Sequence, residues 1–169
     1  MLVSEHKANL NVCDFQNNTS LHKAALCGNT DVVRALINEF GCSPRTKGYG
    51  GCNLLHQTCE KGHVKLAKTL ISDFNIDPLS VDDDGNTPLH FAAIGGQEKV
   101  TKLLITKYNC PVNCRNNREE MPIHHACLYS SISYIRMLVS KYKADLNTCD
   151  FQNNTPLHKA ALCLSLIHI

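Results

Sequence analysis

Thr87-Pro88-Leu89-His90-Phe91-Ala92-Ala93-Ile94-Gly95-Gly96 decides the fold. Thr87 is a good helix N-cap, and Pro88 falls at the first helical position, where its missing N–H leaves nothing unsatisfied. Leu89, Ala92 and Ala93 then lie at i, i+3 and i+4, on one apolar face of a helix. Gly95-Gly96 ends that helix. A second stripe of Val100, Leu103, Leu104 and Tyr108 predicts another short helix stopping near Asn109. Neither helix is long enough to be stable alone, so each must bury its stripe on a neighbour.

The neighbours come from repetition. His22, His56, His90, His124 and His158 recur every 34 residues. Around them stand Thr19-Ser20-Leu21, Asn53-Leu54-Leu55, Thr87-Pro88-Leu89, Met121-Pro122-Ile123 and Thr155-Pro156-Leu157. Leu36, Leu70, Leu104 and Leu138 form a second column, and Ile37, Ile71, Ile105 and Val139 a third. Ala24-Ala25, Ala92-Ala93, Ala126-Cys127 and Ala160-Ala161 keep small residues in register. A supersecondary unit recurring at this period is the signature of a stacked array whose units share one continuous core.

The Thr-Pro-Leu-His-x-Ala motif, complete at 87–92 and with Ser for Pro at 19–24, resembles the signature of the ankyrin repeat family. The resemblance covers all but the last few residues. It implies an all-α repeat solenoid, an elongated and slightly curved stack of antiparallel helix pairs carrying β-hairpin or turn fingers. The family's Asp-x-x-Gly finger is replaced by Gly48-Tyr49-Gly50-Gly51 in the second unit, and Met121 stands for the capping Thr in the fourth. The period exceeds the family's roughly 33 residues by about one. The surplus falls at the end of the second helix, where Phe40, Phe74, Tyr108 and Tyr142 are expected to form a buried aromatic column.

These registers predict repeats at 14–47, 48–81, 82–115 and 116–149. A partial repeat at 1–13 is the end of a preceding unit, and another at 150–163 begins a following one. A non-repeat tail, 164–169, lacks the Gly and the second helix of the pattern. Residues 1–27 match 137–163 at 22 of 27 positions, as a copied block does. Polar end repeats, which normally keep such arrays soluble, are missing. The expected chain is therefore a fragment of a longer array.

Composition narrows the function. Net charge is +2 with 19% charged residues, far from the basic balance of a nucleic-acid binder, and Trp is absent. Met1 to Asp14 contain no apolar leader, and no run approaches the roughly 18 apolar residues that cross a bilayer. Ten cysteines without an export signal predict free thiols in a reducing, cytoplasmic compartment. The Asn-x-Thr matches at 17–19 and 153–155 are then chance.

Nine His and ten Cys still invite a chemical reading. Cys52, His56, Cys59 and His63 are the best zinc candidates, but zinc usually takes two separated ligand pairs. Each of the four has a repeat role instead: His56 is the signature His, His63 occupies the slot after Gly62, Cys59 replaces a buried Ala, and Cys52 precedes the helix. Cys42, Cys110, Cys114 and Cys127 likewise fill small-residue positions. Cys127 with His124 or His125 would be a nucleophile and base, yet no orienting acid or oxyanion site accompanies them. The expectation is no enzyme, no metal and no cofactor. The signature His are expected to tie each first helix to an adjacent loop backbone.

Binding is expected on the face built from the finger tips and the outer ends of the first helices. The resemblance makes this the concave side and carries over Phe15, Gln16, Asn18 and Leu26; Tyr49, Glu60 and Lys61; Asp83, Asp84, Asn86 and Ile94; and Arg118, Glu120 and Tyr129. These positions vary between repeats while the structural columns hold. The implied partner is a protein or peptide, with no nucleic acid and no small-molecule substrate. Arg34, Lys68, Lys102 and Arg136 place one cation per repeat on the second helix, a ridge expected to be solvated. A different class of function is a regulatory or targeting ankyrin region within a longer enzyme or channel.

Overall fold

A computed structural model describes residues 12–166. Four helix pairs follow one another: α1 (Ser20–Leu26) with α2 (Thr30–Asn38), α3 (Leu54–Lys61) with α4 (Val64–Ser72), α5 (Pro88–Ile94) with α6 (Glu98–Tyr108), and α7 (Pro122–Tyr129) with α8 (Ile132–Tyr142). A ninth helix, α9, spans Pro156–Leu166. First helices pack on first helices, from α1 through α3, α5 and α7 to α9, while α2 packs on α4 and α4 on α6. The chain is an all-α repeat solenoid. The partial repeat read at the start lies almost wholly outside the described residues, as does 167–169. Helix α9 runs on through Leu164, Ser165 and Leu166, where the repeat pattern lapses, because no glycine stands there to turn the chain.

The leucine columns build the core. Leu21, Leu55, Leu89 and Ile123 are buried between successive first helices, and Leu70, Leu104 and Leu138 line the second-helix layer. Each fully buried side chain of this size contributes roughly 2 kcal/mol relative to exposure. Leu157, next in the first column, is 60% exposed, so α9 is covered on one flank only. Amide hydrogen exchange should therefore be slowest in α3 through α6, which have helix pairs on both sides, and faster in α9. Equal protection from α1 to α9 would contradict a stack held by nearest neighbours. The aromatic column is half-buried rather than buried: Lys107 lies over the Tyr108 ring at 5.3 Å and Lys141 over Tyr142 at 5.4 Å.

Every signature His accepts the N–H of its own helix cap at Nδ1, and His56 and His90 add a second tie to the next finger. The Nδ1 of His90 accepts the Thr87 N–H at 3.1 Å, and its Nε2 meets the Glu120 carbonyl oxygen of the next finger at 3.1 Å. His56 does the same between the Asn53 N–H, 3.2 Å, and the Asn86 carbonyl, 3.0 Å. A ring nitrogen that accepts from an amide while its partner donates to a carbonyl is a neutral imidazole in one tautomer. Met121 shows that the His carries the cap: with no hydroxyl, its N–H still reaches His124 Nδ1 at 3.0 Å.

Two further sets of bonds join the repeats. The His63 ring donates to the Leu26 carbonyl at 2.8 Å, Gln97 Nε2 to the Glu60 carbonyl at 2.9 Å, and the Ser130 hydroxyl to the Ala93 carbonyl. Each satisfies a C-terminal carbonyl of the preceding first helix. The fingers are turns held by one carboxylate or amide apiece. Asp82 Oδ1 accepts the N–H groups of Asp84 and Asn86; Asp14, Asn116 and Asp150 repeat the pattern. Gly48 breaks that column, and Tyr49–Gly51 forms a 3-10 turn instead. No strand occurs among the described residues, because neighbouring fingers share single backbone bonds: Asp83 N–H to Gly50 O, Asn117 N–H to Asp84 O, and Phe151 N–H to Arg118 O.

Candidate functional site

Those bonds fix the tips of the second to fifth fingers as a row, and Asn17 Nδ2 of the first finger donates to the Lys47 carbonyl at 3.4 Å. Positions 15, 49, 83, 117 and 151 are equivalent and hold Phe15, Tyr49, Asp83, Asn117 and Phe151. Phe15 is 97% exposed, Tyr49 70%, and Phe151 60%. Tyr129, at the outer end of α7, is 64% exposed. Aromatic rings held largely in water bury little for their own chain, and the rest of their area is covered only on contact with something else. Gln16, Lys61, Asp83, Asp84 and Arg118 are exposed alongside them, while Leu26, Glu60 and Ile94 are half-buried. Asp84 and Arg118 face each other at 3.6 Å, and Lys61 pairs with Glu60 at 2.6 Å.

Asn18, Asn86 and Glu120 belong elsewhere. The resemblance sets them on the outer surface, but all three are buried, beneath the fingers and between repeats. Gln57 Nε2 donates to Asn18 Oδ1 at 3.2 Å, and Asn116 Nδ2 donates to Asn86 Oδ1 at 2.8 Å and to Glu120 Oε2 at 3.2 Å. Lys159 then bridges Glu120 Oε1 and Asp150 Oδ2, both at 2.8 Å. Burial would raise the Glu120 carboxyl, but the bonds from Lys159 and Asn116 outweigh it and hold it low. Asp150 is held at about 2: the hydrogen bonds, Lys159 foremost, overcome its burial. Lys159 is raised despite burial by the two carboxylates. These groups join one repeat to the next.

Motif transfer passed over two exposed tip residues, Asn117 and the aromatic Phe151. For Phe151 the signal was present, since it stands 136 residues after Phe15 in the duplicated block.

The Cys/His candidates separate in space by role. His56 and Cys59 are fully buried, His63 is committed to Leu26, and Cys52 is half-buried with its thiol pushed up to about 12, chiefly by burial. No three His, Cys, Asp or Glu side chains converge as a metal group among the described residues. Burial also pushes the Cys127 thiol up to about 11, so it is protonated at neutral pH. The ridge residues differ among themselves. Arg34 is half-buried and bonded to Asp73 and Thr69, whereas Lys68, Lys102 and Arg136 are exposed.

Stacked helix pairs, a capping His in each and a row of finger tips define a repeat scaffold. Models of the ankyrin repeat match residues 16–46, 55–105 and 104–160, and the chain belongs to this family. The gap between the first two matches, 47–54, contains the Gly48 finger that lost its Asp. None of the curated proteins compared with the chain matches it. Ankyrin repeats generally mediate protein–protein interactions and are typically non-catalytic. No helix among the described residues is long and apolar enough to cross a membrane.

Proposed function

We propose that this chain is a protein-binding scaffold whose contact surface is the finger-tip row and the outer ends of α1, α3, α5 and α7. The observation that carries it is the exposure of Phe15, Tyr49 and Phe151 at equivalent positions of the finger turns. Interface energy concentrates in a few desolvated anchors, with Tyr, Trp and Arg enriched among them. Asp83 and Asp84 lie between the aromatic tips and select a protein or peptide segment bearing a cation or a hydrogen-bond donor there.

The test is affinity capture with the full chain as bait, followed by titration of the captured protein against variants. Tyr49→Ala and Asp84→Lys should each weaken it at least tenfold, about 1.4 kcal/mol. Tyr49→Ala should leave the melting temperature unchanged and Asp84→Lys should lower it only slightly, because both side chains are exposed and the pair that Asp84 makes with Arg118 is solvated. Lys102→Glu on the second-helix side should change affinity little. Arg34→Glu is a poor control, since it breaks the bond to Asp73. Loss of binding in Lys102→Glu with retention in Tyr49→Ala would place the interface on the opposite face.

A further inference from the structure

The groove between α2 and α4 and the groove between α4 and α6 are built from equivalent repeat positions, yet their charges differ. In the first, Arg34 is bonded to Asp73, and Asp31 stands 3.9 Å from Lys65. In the next register Arg34 becomes Lys68 and Lys65 becomes Lys99, but Asp31 becomes Lys65 and Asp73 becomes Lys107. Both neutralising acids have turned into lysines. What remains is a cleft of about 200 Å³ between α4 and α6, lined by Lys68, Lys99 and Lys102 with Val64, Leu103 and Thr106. The three lysines are exposed, and none has an ion pair among the described residues. Glu98, the one acid on these two helices, takes the register of Val64 and so fronts the following groove, toward α8. The Thr106 hydroxyl is spent on the Lys102 carbonyl, at 2.7 Å.

We propose that this cleft binds an anion carrying two or more phosphate groups, at a site separate from the finger-tip row. Ammonium groups gathered without a carboxylate repel one another, and an anion between them relieves that repulsion. The charge has to be dense. A phosphomonoester concentrates about −1.5 to −2 on one group, whereas each carboxylate of an acidic peptide brings a single charge. The donors fit as well: lysine meets phosphate as a point charge, and the cleft has no Arg to fork onto a planar carboxylate.

Size sets the number of phosphates. Pockets that enclose a drug-sized ligand run to roughly 300–1,000 Å³, so this cleft seats one phosphate group and not a whole molecule. Lys65 and Lys107, exposed and in the registers of Asp31 and Asp73, flank Lys99 and Lys68 and meet the next one. The same chemistry is offered by a polyphosphorylated lipid headgroup and by a soluble polyphosphate.

Calorimetric titration of the full chain with inorganic tripolyphosphate tests the site, in about 0.1 M salt so that distant charges are screened. Lys68→Glu and Lys102→Glu should each weaken binding at least about tenfold. Lys107→Asp leaves the three cleft lysines in place but restores an acid at the Asp73 register, and should weaken binding as much. All three positions are exposed, so helical circular dichroism should hold. Tyr49→Ala should bind tripolyphosphate like wild type, and Lys102→Glu should keep the protein partner, which separates failure here from failure of the finger-tip reading. Vesicles of phosphatidylcholine, with and without phosphatidylinositol bisphosphate, distinguish the sources. Sedimentation with the phosphoinositide alone assigns a lipid headgroup; tripolyphosphate binding without it assigns a soluble ligand. No binding at about 1 mM tripolyphosphate overturns the proposal. So does binding indifferent to Lys68→Glu and Lys107→Asp, or binding matched by a glutamate peptide of equal charge.

Discussion

Acidification from pH 7 to pH 4 should strip the stack of most of its stability, beginning near pH 6.5 rather than in the carboxylate range. The cause is the signature His column. Burial, with the neighbouring His125 adding to it, pushes His90 from 6.5 down to about 3. His22, His56, His124 and His125 are lowered too, burial being the largest cause in each. In the unfolded chain these rings take up protons near pH 6.5. In the folded chain they stay neutral: burial disfavours the charged ring in all five, and in His22, His56, His90 and His124 Nδ1 accepts an amide proton, so a proton placed there would face the donor. Between the two values the unfolded state binds more protons, so stability is full above pH 6.5 and falls as pH drops toward the folded values. At about 1.4 kcal/mol for each pH unit, His90 alone withdraws on the order of 5 kcal/mol by pH 3. That is comparable with the whole stability of many domains.

The carboxylates extend the loss downward. Asp150 at about 2 and Glu120, also lowered, contribute stability above their unfolded values of 3.8 and 4.5, and it disappears below them. The contribution of Lys159, raised from 10.5, is constant throughout this acid window. Urea unfolding followed by circular dichroism at pH 7, 6, 5 and 4 measures the slope. Constant midpoints from pH 7 to pH 5 would show that the imidazoles are not held neutral.

How much of this was legible in the residues depended on what kind of question was asked. Period and residue type gave the helix pairs, the tie that the His make to a neighbouring loop and the burial of the first leucine column, since each needs only local chemistry repeated. Orientation was harder. Asn18, Asn86 and Glu120 sit three residues from the tip positions 15, 83 and 117, yet they point into the seam because the next repeat is stacked against them. Nothing in an isolated Asn or Glu says which side the neighbour lies on. Their partners Gln57, Asn116 and Lys159 stand 30 to 39 residues away. Phe151 was legible by a different route, as the copy of Phe15. The finger-closing column of Asp14, Asp82, Asn116 and Asp150 was visible too, and the Gly48 exception marked the one finger that folds differently.

Gly95 shows the same limit at one atom, and its replacement should be among the most damaging single changes. In the sequence, Gly95-Gly96 reads as a single helix stop. Gly96 has φ +62°, where glycine is favoured, but Gly95 has φ −79°, which any residue adopts. Gly95 is needed for contact instead. A Cβ there would overlap the Glu60 carbonyl oxygen and lie 3.0 Å from its carbon, both backbone atoms at the end of α3. That carbonyl is also held by Gln97 Nε2, at 2.9 Å, so it has little freedom to withdraw. Gly95→Ala must widen the α3–α5 spacing, in the centre of the stack, and should cost about 3 kcal/mol, the upper range for overpacking. Gly41→Ala is the comparison: its φ is +69° and nothing lies within 4 Å of the added carbon, so only backbone strain of about 1 kcal/mol applies. Urea midpoints at unchanged slope measure both. If Gly95→Ala proves no more costly than Gly41→Ala, close approach of the first helices is not what demands a glycine at this position.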